Sequence, residues 1–284
     1  MNTTEAPETP EEKARATRQA GRDRAIARAN GWIDEARAAP APIAAPPKQR
    51  PPQTWYTGDP HLGHERIIEL CQRPFGTVAE MNDAILDRIN SVVARQDTLV
   101  IVGDVLLGPF EESVKLLQRI RAGRIRLIPG NHDRWSLAYT HRGSPEVVKN
   151  KRRMWMADYQ DAGRRRGLSA ASSGIVCVPD RRPSAWSTVI GGVGVLLSHY
   201  PYVGSGDSRP DRPDRYEWLR PVDRGLPLIH GHVHGAWKVR GRMFNVGVDV
   251  NDFTPVAESE LRDWLATLGA GAGVNGQNAA NQGR

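Results

Sequence analysis

Hydrophobic and polar positions change period along the central part of the chain. The run DTLVIVGD (97–104) is apolar without a break between its polar ends, the pattern of a strand buried on both faces. TWYTG (54–58) and RIRLIPGNHD (124–133) read as further strands. Between them, ERIIELC (65–71), VAEMNDAILDRINSVVA (78–94) and FEESVKLLQRIRA (110–122) place apolar residues at helical spacing, the last with Gly123 as its expected C-cap. Strand, helix and strand in succession predict parallel crossovers, hence an α/β fold. Residues 137–186 show no clear period. Beyond them STVIGG, GVLLSHY, LPLIHG, AWKVRG and RMFNVGV predict a strand-rich second half, and VAESELRDWLATL (256–268) predicts a closing helix.

The ends read differently. Residues 1–38 are rich in Ala, Arg and Glu, with a weak helical stripe through Ala25, Ile26, Ala29, Trp32 and Ile33. Residues 39–53 contain APAPIAAPPKQRPP, a linker whose prolines fix φ and remove donors. A main domain is expected over 54–268. Residues 269–284, rich in Gly, Asn and Gln with nothing to bury, are expected to form a disordered tail.

Composition narrows the function classes. The chain has 284 residues and 39% hydrophobic residues, enough for one substantial core. Its two cysteines, Cys71 and Cys177, lie far apart, which argues against a disulfide framework and for a reducing, cytoplasmic setting. Neither an apolar leader nor a run of roughly 20 apolar residues is seen, so no membrane partner is expected. The net charge is +7, and 15 of the Lys and Arg fall between Arg119 and Arg182, against five acids. Such a run is ordinarily a solvated face; the alternative is a rim that attracts phosphorylated substrates or tracks a nucleic-acid backbone.

The candidate chemistry lies at the strand ends. Seven of the eight histidines, all but His141, sit there beside Asp or Asn. GDPHLGH supplies Asp59, His61 and His64; VGD supplies Asp104; GNHD supplies Asn131, His132 and Asp133; SHY supplies His199; IHGHVH supplies His230, His232 and His234. Loops at the carboxyl ends of strands in an open α/β sheet converge on one crevice. Any one of these residues alone reads as a turn residue or a cap. Five such sites built from Asp, Asn and His, without cysteine, point to borderline or hard divalent ions such as manganese, iron or zinc. There are too many ligands for one ion, and Asp104 is placed to bridge two, with Gly103 allowing close backbone approach. In GNHD, Gly130 makes room, Asn131 offers a neutral carbonyl oxygen, and His132 is a proton-donating imidazole with Asp133 as its orienting partner. His64 reads equally as a helix cap and as a phosphate-facing donor, Arg134 as a surface residue or a phosphate contact, and His230 as an internal strand residue. Asn245 and Asp249 in FNVGVD are candidates to support the ligands.

In this order, DPH, GD, GNHD, H and GHVH, the motifs resemble those of the calcineurin-like metallophosphoesterase superfamily over roughly 54–256. The wording HLGH, RPF, SHYPY, HGHVHG and NVGVD is similar to small bacterial and phage members. The resemblance implies two central β-sheets flanked by helices. It also implies two divalent metal ions per chain, manganese first, with iron, zinc or nickel as alternatives. One would be held by Asp59, His61, Asp104 and His234, the second by Asp104, Asn131, His199 and His232, with His132 catalytic. The chain lacks the GDxVDRG and GNHE wording of protein Ser/Thr phosphatases, so that activity is not implied. The expected activity is metal-dependent hydrolysis of a phosphodiester, with a small or cyclic nucleotide favoured. The alternatives are a nuclease acting on RNA or DNA, a phosphomonoesterase, or a metal-containing binding module without turnover.

Overall fold

The computed structural model describes residues 50–140, 143–165, 174–205 and 214–274. The N-terminal extension, residues 39–49 of the proline-rich linker, His141 and residues 275–284 lie outside the described residues. Ten strands among the described residues form two five-stranded sheets with helices around them.

The first sheet runs in the order β10 (Val256–Ala257), β1 (Thr54–Thr57), β2 (Thr98–Val102), β3 (Arg124–Ile128), β4 (Gly174–Cys177). β1 to β4 are parallel and β10 is antiparallel to β1. The second sheet runs β5 (Trp186–Ile190), β6 (Val193–Leu197), β7 (Leu228–His230), β9 (Met243–Asn245), β8 (Val239–Arg240). Here β6, β7 and β9 are parallel, and β5 and β8 pair antiparallel at the edges.

Alternation along β2 explains why it reads as uniformly apolar. Leu99 and Ile101 face one layer, against α1 (Arg66–Leu70), α2 (Val78–Val92), α3 (Phe110–Leu116) and α5 (Pro145–Arg164), through Ile67, Met81, Ile85, Leu86, Ile89 and Tyr159. Val100 and Val102 face the other way, into a core between the sheets made with Ile128, Val195, Leu197, Ile229 and Phe244. α6 (Glu258–Val274) closes that core with Leu261, Trp264 and Leu265. It continues past Leu268, the residue at which the sequence pattern ends, to Val274.

Two expectations fail locally. Helix α3 stops at Leu116, a 3₁₀ turn covers Leu117–Arg119, and Gly123 is no C-cap but precedes β3. The chain straightens at Ile120 to bury Ile120 and Ala122. The unreadable span contains α4 (Leu137–Thr140), the 20-residue α5 and the strand β4. The inward face of α5 includes Arg152, whose guanidinium donates to the carbonyls of Trp135 (3.0 Å) and Asp180 (2.6 Å), so charge interrupts its apolar stripe.

Part of the basic run is engaged by the chain itself. Arg119 pairs with Asp83, Arg164 and Arg165 pair with Asp161, and Arg181 and Arg182 donate to the carbonyls of Ala185 and Trp218. Both cysteines are free thiols. Among the described residues no helix is long and apolar enough to cross a membrane.

Candidate metal centre

The parallel strands of the two sheets end on the same side, and their loops are stitched together by backbone hydrogen bonds. Asp59 N donates to Gly103 O (3.1 Å) and His61 N to Asp104 O (3.0 Å), which joins the first two loops. Gly231 N donates to His199 O (3.1 Å), joining the loops after β6 and β7. A bridge between Gly58 and Gly247 ties the first sheet to the second. The Asp59 carboxylate accepts His232 N (2.9 Å), which completes the ring of loops.

This stitching forces unusual backbone. Asp59, His61, Asp104, His232 and His234 all have φ between 47° and 72°, five of the eight non-glycine residues in that region among those described. The left-handed conformation costs of order 1–2 kcal/mol per residue, although Asp and His tolerate it better than most types. Strain of this kind persists only where surrounding structure over-determines it, and it concentrates at functional sites. Gly130 is needed for close approach, because a Cβ there would lie 2.3 Å from Asp104 Oδ1. Gly103 combines φ +82° with a Cβ position 2.2 Å from His199 Nδ1.

Two sets of donor atoms meet at Asp104. In the first, one atom each of Asp59, His61 and His234 lie within 4.8 Å of one another, and His61 Nε2 is 3.5 Å from Asp104 Oδ2. The imidazoles of His61 and His234 stack at 5.2 Å. In the second, His199 Nε2 lies 3.0 Å from Asn131 Oδ1 and 3.5 Å from Asp104 Oδ2, and His232 Nδ1 is 2.9 Å from Asn131 Oδ1 and 3.2 Å from His199 Nε2.

The chemistry of these atoms fits cations. His199 Nδ1 lies 3.1 Å from the Val102 carbonyl, which can only accept, so Nδ1 carries the proton and Nε2 presents a lone pair. That lone pair faces a carboxylate oxygen. Neither buried ring nitrogen of His61 has a hydrogen-bond partner. A polar group left so costs about 1–3 kcal/mol, and a divalent ion relieves it.

Protonation follows the same logic. Burial pushes Asp59 up to about 7, opposed by His234. Burial would raise Asp104 too, but His199, His132 and His61 hold it below the usual carboxylate range. Burial lowers His199 to about 3 and His61 well below its usual value, so both are neutral at pH 7, the form a cation requires. His234 moves the other way: against burial, its hydrogen bond to Asp249 and its proximity to Cys71 and Asp59 raise it to about 11.

The remaining expectations divide. The His132 side chain is 41% exposed, with Nε2 4.0 Å from Asp104 Oδ2 and its backbone N–H on Asp104 Oδ1 (2.8 Å). Its ring meets those of His61 (5.4 Å) and His64 (6.5 Å). Asp133 does not orient it. The Asp133 carboxylate is fully buried and accepts three backbone N–H groups, from Asp104 (2.9 Å), Val105 (3.0 Å) and Gly130 (2.8 Å), so it shapes the second and third loops instead. His64 does not cap α1, whose N-cap is Glu65 without a side-chain bond; it packs beside His61 and His132, and burial lowers it to about 4. Arg134 is half-buried, with its guanidinium over the rings of Phe110 (4.7 Å) and Trp155 (4.5 Å). His230 is an internal strand residue whose ring lies tilted against Trp237, with centroids 4.6 Å apart. Asn245 binds the carbonyls of His234 and Trp237 (both 2.9 Å), which holds the HGHVHG loop.

Arg73 supports the site although no local pattern marks it. It is buried, forks onto Asp249 (2.8 and 2.9 Å), and donates to the carbonyls of Asp59 (2.7 Å) and Pro60 (3.0 Å). Its one signal in the sequence is the RPF wording, since an arginine in the connection between two helices otherwise reads as surface.

Residues 53–236 match the family described as calcineurin-like phosphoesterase. The Gene 66 protein of Mycobacterium phage L5 is 34% identical over 203 residues, covering 69% of this chain and 86% of that protein. The Gene 66 protein of Mycobacterium phage D29 is 30% identical over 213 residues, covering 72% and 92%. The crystal structure of AQ665 from Aquifex aeolicus, a protein of unknown function, has a TM-score of 0.48 at 24% identity, over 75% of this chain and 99% of that one. The matched segment contains both donor sets and His132, and the chain belongs to the calcineurin-like phosphoesterase family.

Proposed function

We propose that the protein hydrolyses a phosphodiester, with a small or cyclic nucleotide as its preferred substrate class, using two divalent ions of which manganese is the first choice. The observation that carries this reading is the meeting of two lone-pair donor sets at one carboxylate, Asp104. Asp59, His61, Asp104 and His234 would hold one ion; Asp104, Asn131, His199 and His232 would hold the other. Divalent ions so held supply Lewis acidity, acidifying water and neutralising phosphoryl charge.

The chain's own groups do the rest. His132 is exposed beside the centre and fixed through its backbone to Asp104, so its imidazole can give a proton to the leaving oxygen. His64, neutral at pH 7, offers a hydrogen bond rather than a charge to a phosphoryl oxygen. The diester preference rests on where the cations are. Arg73 is engaged by Asp249 and two carbonyls, and Arg134 by two rings, so the flank of the centre on these loops is built of imidazoles. A singly charged diester suits such a rim better than a dianionic monoester, which favours a guanidinium clamp. Arg119 pairs with one carboxylate and Arg164 and Arg165 share another, while Arg152, Arg181 and Arg182 donate to neutral carbonyls, so this run keeps its positive excess and a nuclease stands as the alternative reading.

The test is hydrolysis of bis(p-nitrophenyl) phosphate beside p-nitrophenyl phosphate by metal-stripped protein resupplied with manganese. The expected result is manganese-dependent turnover that is faster on the diester and lost in Asp104→Asn. Faster monoester turnover would overturn the substrate class; metal-independent turnover would overturn the mechanism.

A further inference from the structure

Arg73 and Asp249 come from distant parts of the chain and meet behind the first donor set. Asp249 follows β9 and belongs to the second sheet's loops; Arg73 follows α1 and belongs to the first sheet's side. Both side chains are almost fully buried, and the fork between them is bidentate. Asp249 Oδ2 also lies 2.9 Å from His234 Nδ1. A carboxylate only accepts, so this contact makes Nδ1 the protonated nitrogen and leaves Nε2 for the donor set containing Asp59 and His61. At its other end Arg73 occupies the carbonyls of Asp59 and Pro60, within the loop where Asp59 and His61 hold their left-handed backbone.

We propose that Arg73 and Asp249 are positioning residues that assemble the first cation's donor set, Asp249 by fixing the tautomer and direction of His234 and Arg73 by locking Asp249 to the Asp59–Pro60 backbone. The brace joins the two sheets at the point where ligands from each must reach one ion. Its contacts lie with that ion's donors. In the second set, His199 is oriented by the Val102 carbonyl, away from the brace, and the brace reaches that set only through Asp59, whose carboxylate accepts the His232 N–H. Cys71 also lies within donor reach of His234 and Asp249, yet the guanidinium on Asp249 opposes a further cation there and leaves the cluster as support for His234.

The proposal rests on the two-ion reading, and a manganese titration of the metal-stripped full chain by calorimetry separates the two. The wild-type protein is expected to bind two ions. Asp249→Asn and Arg73→Lys are expected to keep one affinity and weaken the other about 10- to 100-fold, the usual cost of losing a partner of a metal-bound histidine. Asp97→Asn, a buried carboxylate elsewhere in the fold, serves as a control for general loosening and is expected to keep both affinities. Two wild-type affinities in the brace variants would overturn the proposal, as would equal weakening in Asp97→Asn. Fewer than two ions on the wild-type protein would instead overturn the two-ion reading, and the proposal with it. Should Asp249→Asn fail to fold, Arg73→Lys decides alone, since lysine keeps the charge and loses the fork.

Discussion

The two ends of the first sheet bury carboxylates in opposite ways. Just before β2, where that strand begins, Asp97 is fully buried and answered by the chain itself: the Arg50 guanidinium, the backbone N–H groups of Gln53 (2.9 Å) and Ala94 (2.8 Å), and the Trp55 indole (3.2 Å). Burial alone would raise this carboxyl, but those donors pull it below its usual range. At the carboxyl ends, Asp59 and Asp104 are equally buried, yet they face imidazole and amide lone pairs and each other. The difference lies in what neutralises the charge. One end supplies every donor from within, while the other is arranged so that an external cation completes it.

That contrast breaks most visibly at Asp104. Replacing it with Asn should take diester turnover down to the uncatalysed background, because the carboxylate shared by both donor sets is gone; a plate assay with p-nitrophenol release measures it. His132→Ala should lower kcat by roughly 10²- to 10⁴-fold, the usual weight of general acid catalysis. Metal analysis of the same preparation should still find two manganese ions per chain. Loss of one would place His132 in the ligand shell.

Proton linkage separates the two ends further. Asp59, raised to about 7, must be ionised to bind, so manganese affinity should fall as pH drops through 7, by about tenfold per pH unit from this group alone. Calorimetric titrations at pH 8 and 6 read that slope. The depressed Asp97 works in the other sense for stability: its contribution is present above its unfolded value of 3.8 and is lost as pH falls below it. The smallest functional effect is expected of Asp97→Asn itself. It should cost about 1–3 kcal/mol in a denaturant melt, because the buried donors lose the charged acceptor they share, and leave the metal content unchanged.

The legibility of the molecule in its sequence follows the same division. Strands such as β2 carry residues buried on both faces, so their apolar runs stand out, and the polar residues that end them mark the donor sets by type and order. Helix α5 and strand β4 were hidden, because Arg152 faces inward and β4 is a four-residue edge. The type of Asp133 is legible in the sequence, but its task is not. Its neighbour in sequence is His132, whereas its partners are amides of two other turns that no local pattern reveals. Arg73 and Asp249 lie 176 positions apart, and only the meeting of the two sheets brings them together.

The most direct test of the central claim is an anomalous difference map from crystals soaked in manganese. Two peaks roughly 3.5–4 Å apart, on either side of the Asp104 carboxylate, are the predicted result. A single peak, or peaks away from Asp104, would contradict a centre built on that shared carboxylate.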